Sequence, residues 1–99
     1  MRNDILAALP ELNLIDDAGL RDQVIAVWQE SLQTGGFSVE EMKQVPFALL
    51  GDQASITLVE RVRAVCRTCV AIADSLSASY GKRVTINRDF LVAGALLAD

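Results

Sequence analysis

The sequence predicts an all-α fold, a partial bundle of four or five helices. Three observations carry this. Apolar residues recur three and four apart over long stretches, the period of a helix with one face buried. Glycine, proline and capping residues cut the chain into segments of helical length. The alternation expected of a strand occurs only in "RVTI" (Arg83–Ile86), which is too short to pair alone.

The first segment, Asp4–Leu9, is a short amphipathic helix stopped by Pro10. The second runs from about Ala18 to Gln33. Leu20, Val24, Val27, Trp28 and Leu32 share its apolar side, Trp28 reads as a core anchor, and Gly35 and Gly36 end it. The third starts at "FSVEEM". Ser38 and Glu41 have the spacing of a capping box, and Phe37 and Met42 that of a hydrophobic staple. Pro46 keeps this helix short by disfavouring helical geometry at Val45. A turn is expected around Gly51 and Asp52.

The fourth segment, from about Ile56 to Ser79, is the longest. Val59, Val62, Val65, Cys66, Cys69, Ile72, Ala73 and Leu76 form one apolar stripe along it. Arg63 and Arg67, four apart, read as a solvated face, and Gly81 ends the helix. Asn87 is a good cap for a fifth helix starting at Arg88, with Asp89 in its first turn to suit the helix dipole. This last helix, in "FLVAGALLAD" (residues 90–99), is apolar nearly all round, the pattern of a helix covered on several sides. Its end carries no cap, so the chain reads as the N-terminal portion of something longer.

Composition narrows the classes. The 99 residues set an upper limit of one domain, read here as an N-terminal helical segment (1–55) followed by the start of a helical core (56–99). Hydrophobic residues make up 52% and mean hydropathy is +0.31, which is high for a small domain and calls for a covering partner or further chain. Net charge is −4 and the pI about 4.6, the wrong sign for binding nucleic-acid phosphates. No apolar run reaches membrane-spanning length, and the N-terminus lacks the basic start and apolar core of a signal peptide. The expectation is therefore a cytoplasmic protein without nucleic-acid or membrane partners. Cys66 and Cys69 form a C-x-x-C inside a helical pattern. With no other cysteine and no histidine in the chain they cannot complete a zinc site, so they read as small core residues.

From about Ile56 to Asp99 the sequence resembles the start of an HD-domain metal-dependent phosphohydrolase. In that family a long helix carries a histidine near its start, and a second helix ends in A-L-L-H-D. Here "TLVERVRAVCRTCVAIADSLSASYG" resembles the first helix and "INRDFLVAGALLAD" the second. The resemblance implies an HD-like helical bundle and hydrolysis of a nucleotide or other phosphate ester. It also implies one or two divalent ions (manganese, iron, zinc or similar) that polarise a phosphoryl oxygen and supply hydroxide. Carried over by position, Asp99 matches the aspartate of the His-Asp pair and is the one residual metal ligand, set against an ordinary solvated acid. Ala98 stands in place of the paired histidine. Arg61 stands in place of the first-helix histidine, either holding phosphate as a fixed cation or serving as an ordinary surface arginine. Alanine offers no lone pair and arginine repels a cation. The chain itself is thus expected to hold no metal cofactor and to carry no catalytic residue. A phosphate-containing small molecule would be the substrate of a full-length relative. The alternative is a non-catalytic helical interaction module that self-associates through the final apolar helix, where Phe90, Leu91, Val92, Ala95, Leu96 and Leu97 exceed what one packed face can hide.

Overall fold

The computed structural model describes residues 2–45 and 56–97. Among them are five α-helices and no strand: α1 (Arg2–Ala8), α2 (Ala18–Gly35), α3 (Val39–Lys43), α4 (Leu58–Tyr80) and α5 (Arg88–Leu97). The all-α expectation holds. The expected turn at Gly51 and Asp52, and Ala98 and Asp99, lie outside the described residues.

Local chemistry fixes most helix ends. Asp17 caps α2, its Oδ1 accepting from the Leu20 N–H at 3.1 Å. At the other end Gly36 takes φ of 73°, a left-handed conformation that only glycine adopts freely. This lets the Gly36 and Phe37 N–H groups return to the carbonyls of Gln33 and Leu32, closing the helix with a Schellman motif. The expected capping box at α3 is present in full. Ser38 Oγ accepts from the Glu41 N–H, and Glu41 Oε1 accepts from the Ser38 N–H. Of the proposed staple pair, Met42 is buried, whereas Phe37 stays half exposed with its ring beside Gly35. Helix α4 opens on a second box, Thr57 with Glu60, which sequence reading overlooked. Asn87 caps α5 as expected, its Oδ1 accepting from the Phe90 N–H at 3.1 Å.

One hydrophobic cluster draws on every helix, so the N-terminal segment and the α4–α5 pair share a core. An element absent from the sequence reading contributes heavily to it. After α1 the chain does not leave as a loop at Pro10 but continues as a 3₁₀ turn, Pro10–Leu14. Proline suits its first position because the missing N–H would have had no partner there. At three residues per turn, Leu9, Leu12 and Ile15 fall on one side, and all three are fully buried.

The buried side of α2 is also rotated from the expected one. Val24, Ile25 and Leu32 are buried and Leu20 and Trp28 pack against them, while Val27 is exposed. Val27 lies about 60° from Val24 and about 160° from Ile25 around the helix, so both valines cannot face inward once Ile25 does.

The most extensive helix contact is between α4 and α5, which run antiparallel. The Arg88 guanidinium meets the Asp74 carboxylate at 3.6 Å where α5 begins. At the opposite end Leu58, in the first turn of α4, lines one cavity with Leu96 and Leu97. The final helix covers its apolar surface within the chain better than its composition suggested. Val92, Ala93, Ala95 and Leu96 are buried, leaving Phe90 (66% exposed) and Leu97 outside.

Candidate functional site

The antiparallel hairpin brings the start of α4 and the end of α5 together, and this is where the family resemblance locates its ligand positions. Thr57 and Glu60 fix the α4 terminus. Two hydrogen bonds from Thr57, through backbone N–H at 3.0 Å and hydroxyl at 3.0 Å, hold the Glu60 carboxyl below the usual carboxylate range. The Leu58 N–H also donates to the Val45 carbonyl at 2.9 Å, tying this end to the segment after α3.

Arg61 sits one turn into α4, half-buried. It lines a cleft of about 360 Å³ with Ile56, Glu60, Ala64, Val65, Thr68 and Cys69. The walls are almost wholly apolar, so the cleft offers little hydrogen bonding to a phosphate. A second cavity, of about 160 Å³, lies between α2, α4 and α5 and is lined by Val27, Trp28, Ser31, Leu58, Leu96 and Leu97. Trp28, read as a core anchor, packs against the core at its wall. Its buried Nε1 has no hydrogen-bond partner among the described residues.

The best-built polar cluster lies on another side of α4. Glu11, on the 3₁₀ turn, is 7% exposed. The Arg63 Nε donates to both of its carboxylate oxygens, at 2.9 and 3.2 Å. Arg67 Nε lies 3.7 Å from Glu11 Oε2. Arg63 and Arg67 are therefore not simply a solvated face. Their guanidinium groups replace the water that burial takes from this carboxylate. The available signal was their own spacing: two arginines four apart on one helix side suit a single acid. Asp89 plays a related part. Beyond lying in the first turn of α5, its two oxygens accept the Asp16 and Asp17 N–H groups, each at 3.0 Å, pinning the start of α2 to α5.

Whether these residues suit a divalent ion can be judged from the donors. The chain has no histidine. Among the described residues no three of cysteine, aspartate and glutamate converge as a metal site would require. Arg61 adds positive charge at the position where the sequence resemblance would put a ligand. Cys66 is fully buried, and burial raises its thiol to about 11, with the Glu11 carboxylate adding to the shift. That keeps it protonated and a poor ligand at neutral pH. The donor set among the described residues does not fit a metal. No helix among the described residues is long and apolar enough to cross a membrane.

Compared with protein-family models, curated proteins and solved structures, the chain matches none.

Proposed function

We propose that this chain is the N-terminal part of an HD-superfamily metal-dependent phosphohydrolase acting on nucleotide or other phosphate esters, and that it is inactive by itself. The observation that supports this reading is the antiparallel α4–α5 hairpin, with Leu58 beside Leu96 and Leu97. A ligand one turn into α4 and a ligand pair at the end of α5 would meet at this end of the molecule. Arg61 occupies the first position, and Ala98 and Asp99 follow directly on Leu97 in the sequence.

The test restores the missing donors. Arg61→His combined with Ala98→His would set two imidazoles near the Asp99 carboxylate. Nickel, which imidazole binds well, is the probe, read by isothermal titration. Two ligands on one site act as a chelate, so the double variant is expected to bind about 100-fold more tightly than either single variant. Its phosphatase activity should stay at background, because one helix pair supplies too few ligands. A double variant that binds no better than the tighter single variant would overturn the reading, since the two positions would then not share a site.

A second reading, a non-catalytic helical interaction module, is favoured by the apolar residues that the fold leaves outside. Phe90 on α5 and Ile72 and Leu76 on α4 are exposed, although the sequence reading placed α4's two in the core stripe. Self-association through α5 now rests on Phe90 and Leu97 alone.

A further inference from the structure

We propose that the interaction surface is one side of α4, and that its partner is a second copy of this chain, paired antiparallel about a two-fold axis. The inference rests on the interaction-module reading and is independent of the phosphohydrolase one.

The two halves of this side differ in shape. Among the described residues the N-terminal half is hollow: the apolar cleft of about 360 Å³ opens there beside Arg61, Val65 and Cys69. The C-terminal half projects. Ile72 is 55% exposed, Leu76 is 37% exposed and Tyr80 is 48% exposed. All six positions fall within about 100° of helix circumference. A hollow followed by a ridge on one straight element is self-complementary only when the second copy runs the other way.

The spacing agrees. Positions 61, 65, 69, 72, 76 and 80 are separated by four, four, three, four and four residues, which reads the same in both directions. A two-fold interface needs this, because residue i must meet j while j meets i. With the axis beside Val70 and Ala71, Val65 faces Leu76 of the other copy and Cys69 faces Ile72. Each contact sets a small side chain in the hollow against a larger one on the ridge. Arg61 falls opposite Tyr80, whose ring already accepts a guanidinium, Arg83, at 5.5 Å. The six stripe positions carry no acid, and Glu60, which also lines the cleft, already accepts hydrogen bonds from Thr57.

Size sets the strength. The 23 residues of α4 make a strip about 34 Å long, and two such strips bury on the order of 1,000 Å², the lower edge for a specific interface. A reversible dimer with Kd of roughly 10–100 µM is expected, not an obligate one.

Sedimentation equilibrium across that range tests the idea on the whole chain. The parent should dimerise. Ile72→Asp with Leu76→Asp should weaken the dimer by about 100-fold or more. Both side chains are exposed, so circular dichroism of the variant should match the parent. A short bis-maleimide should link Cys69 of one copy to Cys69 of the other, because the pairing sets them about 4.5 Å apart along the axis. The buried Cys66 should not react. Cross-linking that persists in Cys69→Ser would show a different contact. A dimer lost in Phe90→Asp and retained in the α4 variant would overturn this surface and keep the interaction-module reading. A chain that stays monomeric at several hundred micromolar, well above the expected Kd, would overturn both.

Discussion

Helix α4 has two flanks with opposite fates. On one, Arg63 and Arg67 reach a buried carboxylate from an element 52 residues earlier. On the other, Val65, Cys69, Ile72 and Leu76 continue the apolar stripe with little of the described chain over its second half. The pattern of charge and hydropathy predicted solvated arginines and a stripe buried along its whole length, whereas Val59, Val62, Cys66 and Ala73 of that stripe are buried and Ile72 and Leu76 are exposed. What decides burial is the position of the 3₁₀ turn and α5. Both pack to the side where Glu11 and Arg88 find their partners. Periodicity tells which residues share a side of a helix; neighbours decide which side is covered.

Truncating one residue from each region gives the sharpest contrast. Leu96 is fully buried against α4, so Leu96→Ala removes a well-packed side chain and leaves a cavity. A loss of about 2–5 kcal/mol in urea unfolding is expected. For Ile72→Ala, measured as a dilute monomer, the change should stay within about 0.5 kcal/mol, as for other surface positions. A cost at Ile72 approaching that at Leu96 would mean that the exposed flank is covered within the monomer.

The ion cluster gives an intermediate effect. Glu11→Ala removes charge-assisted bonds and leaves two guanidinium groups facing each other. Both arginines retain partial access to water, so they rehydrate instead of remaining stranded. A loss of about 1–3 kcal/mol is expected. Arg67→Ala, at the longer and more exposed contact, should lose less than about 1 kcal/mol. Equal losses at both would mean that Arg67 carries as much of the contact as Arg63, against the distances. A stabilising Glu11→Leu would fit the known tendency of buried ion pairs to be replaceable by apolar packing.

Much of the fold was legible because the signals were local. The Ser38–Glu41 box, the Asn87 cap, the glycine stop after α2 and the helical stripes all depend on residues within one or two turns of each other. What was missed depended on distant partners or an unusual period. The Pro10–Leu14 turn follows a spacing of three, not the 3.6 of an α-helix, so Leu12 and Ile15 show no α-helical pattern of burial in the sequence. Asp89 was read as favouring the helix dipole, and its bonds to the Asp16 and Asp17 N–H groups span more than 70 positions. Glu11 gave no sign of burial, since a lone glutamate after proline has the composition of a surface turn. For the candidate site, the sequence supplied Arg61, Ala98 and Asp99 as positions. The structure adds that helices carrying the first and leading to the other two converge. It also adds the apolar character of the cleft beside Arg61.

A pH-dependent effect concerns Cys66, at the centre of the covered side of α4. Its thiol is fully buried, and ionisation there would put a negative charge into an apolar setting already facing the Glu11 carboxylate. Its pKa rises from 9.0 to about 11 on folding. Between these values the unfolded chain has lost this proton and the folded chain still holds it. Stability linked to the group is therefore fully present below pH 9.0 and declines as pH rises towards about 11. At pH 10 the loss should be about 1 kcal/mol, from one pH unit of differential ionisation. Urea unfolding of the parent and of Cys66→Ala at pH 8 and pH 10 isolates it: the variant starts less stable but should lose less on alkalinisation. If Cys66→Ala and the parent decline in parallel, the alkaline loss comes from another group, and the covered side of α4 does not disfavour charge at Cys66 as its burial requires.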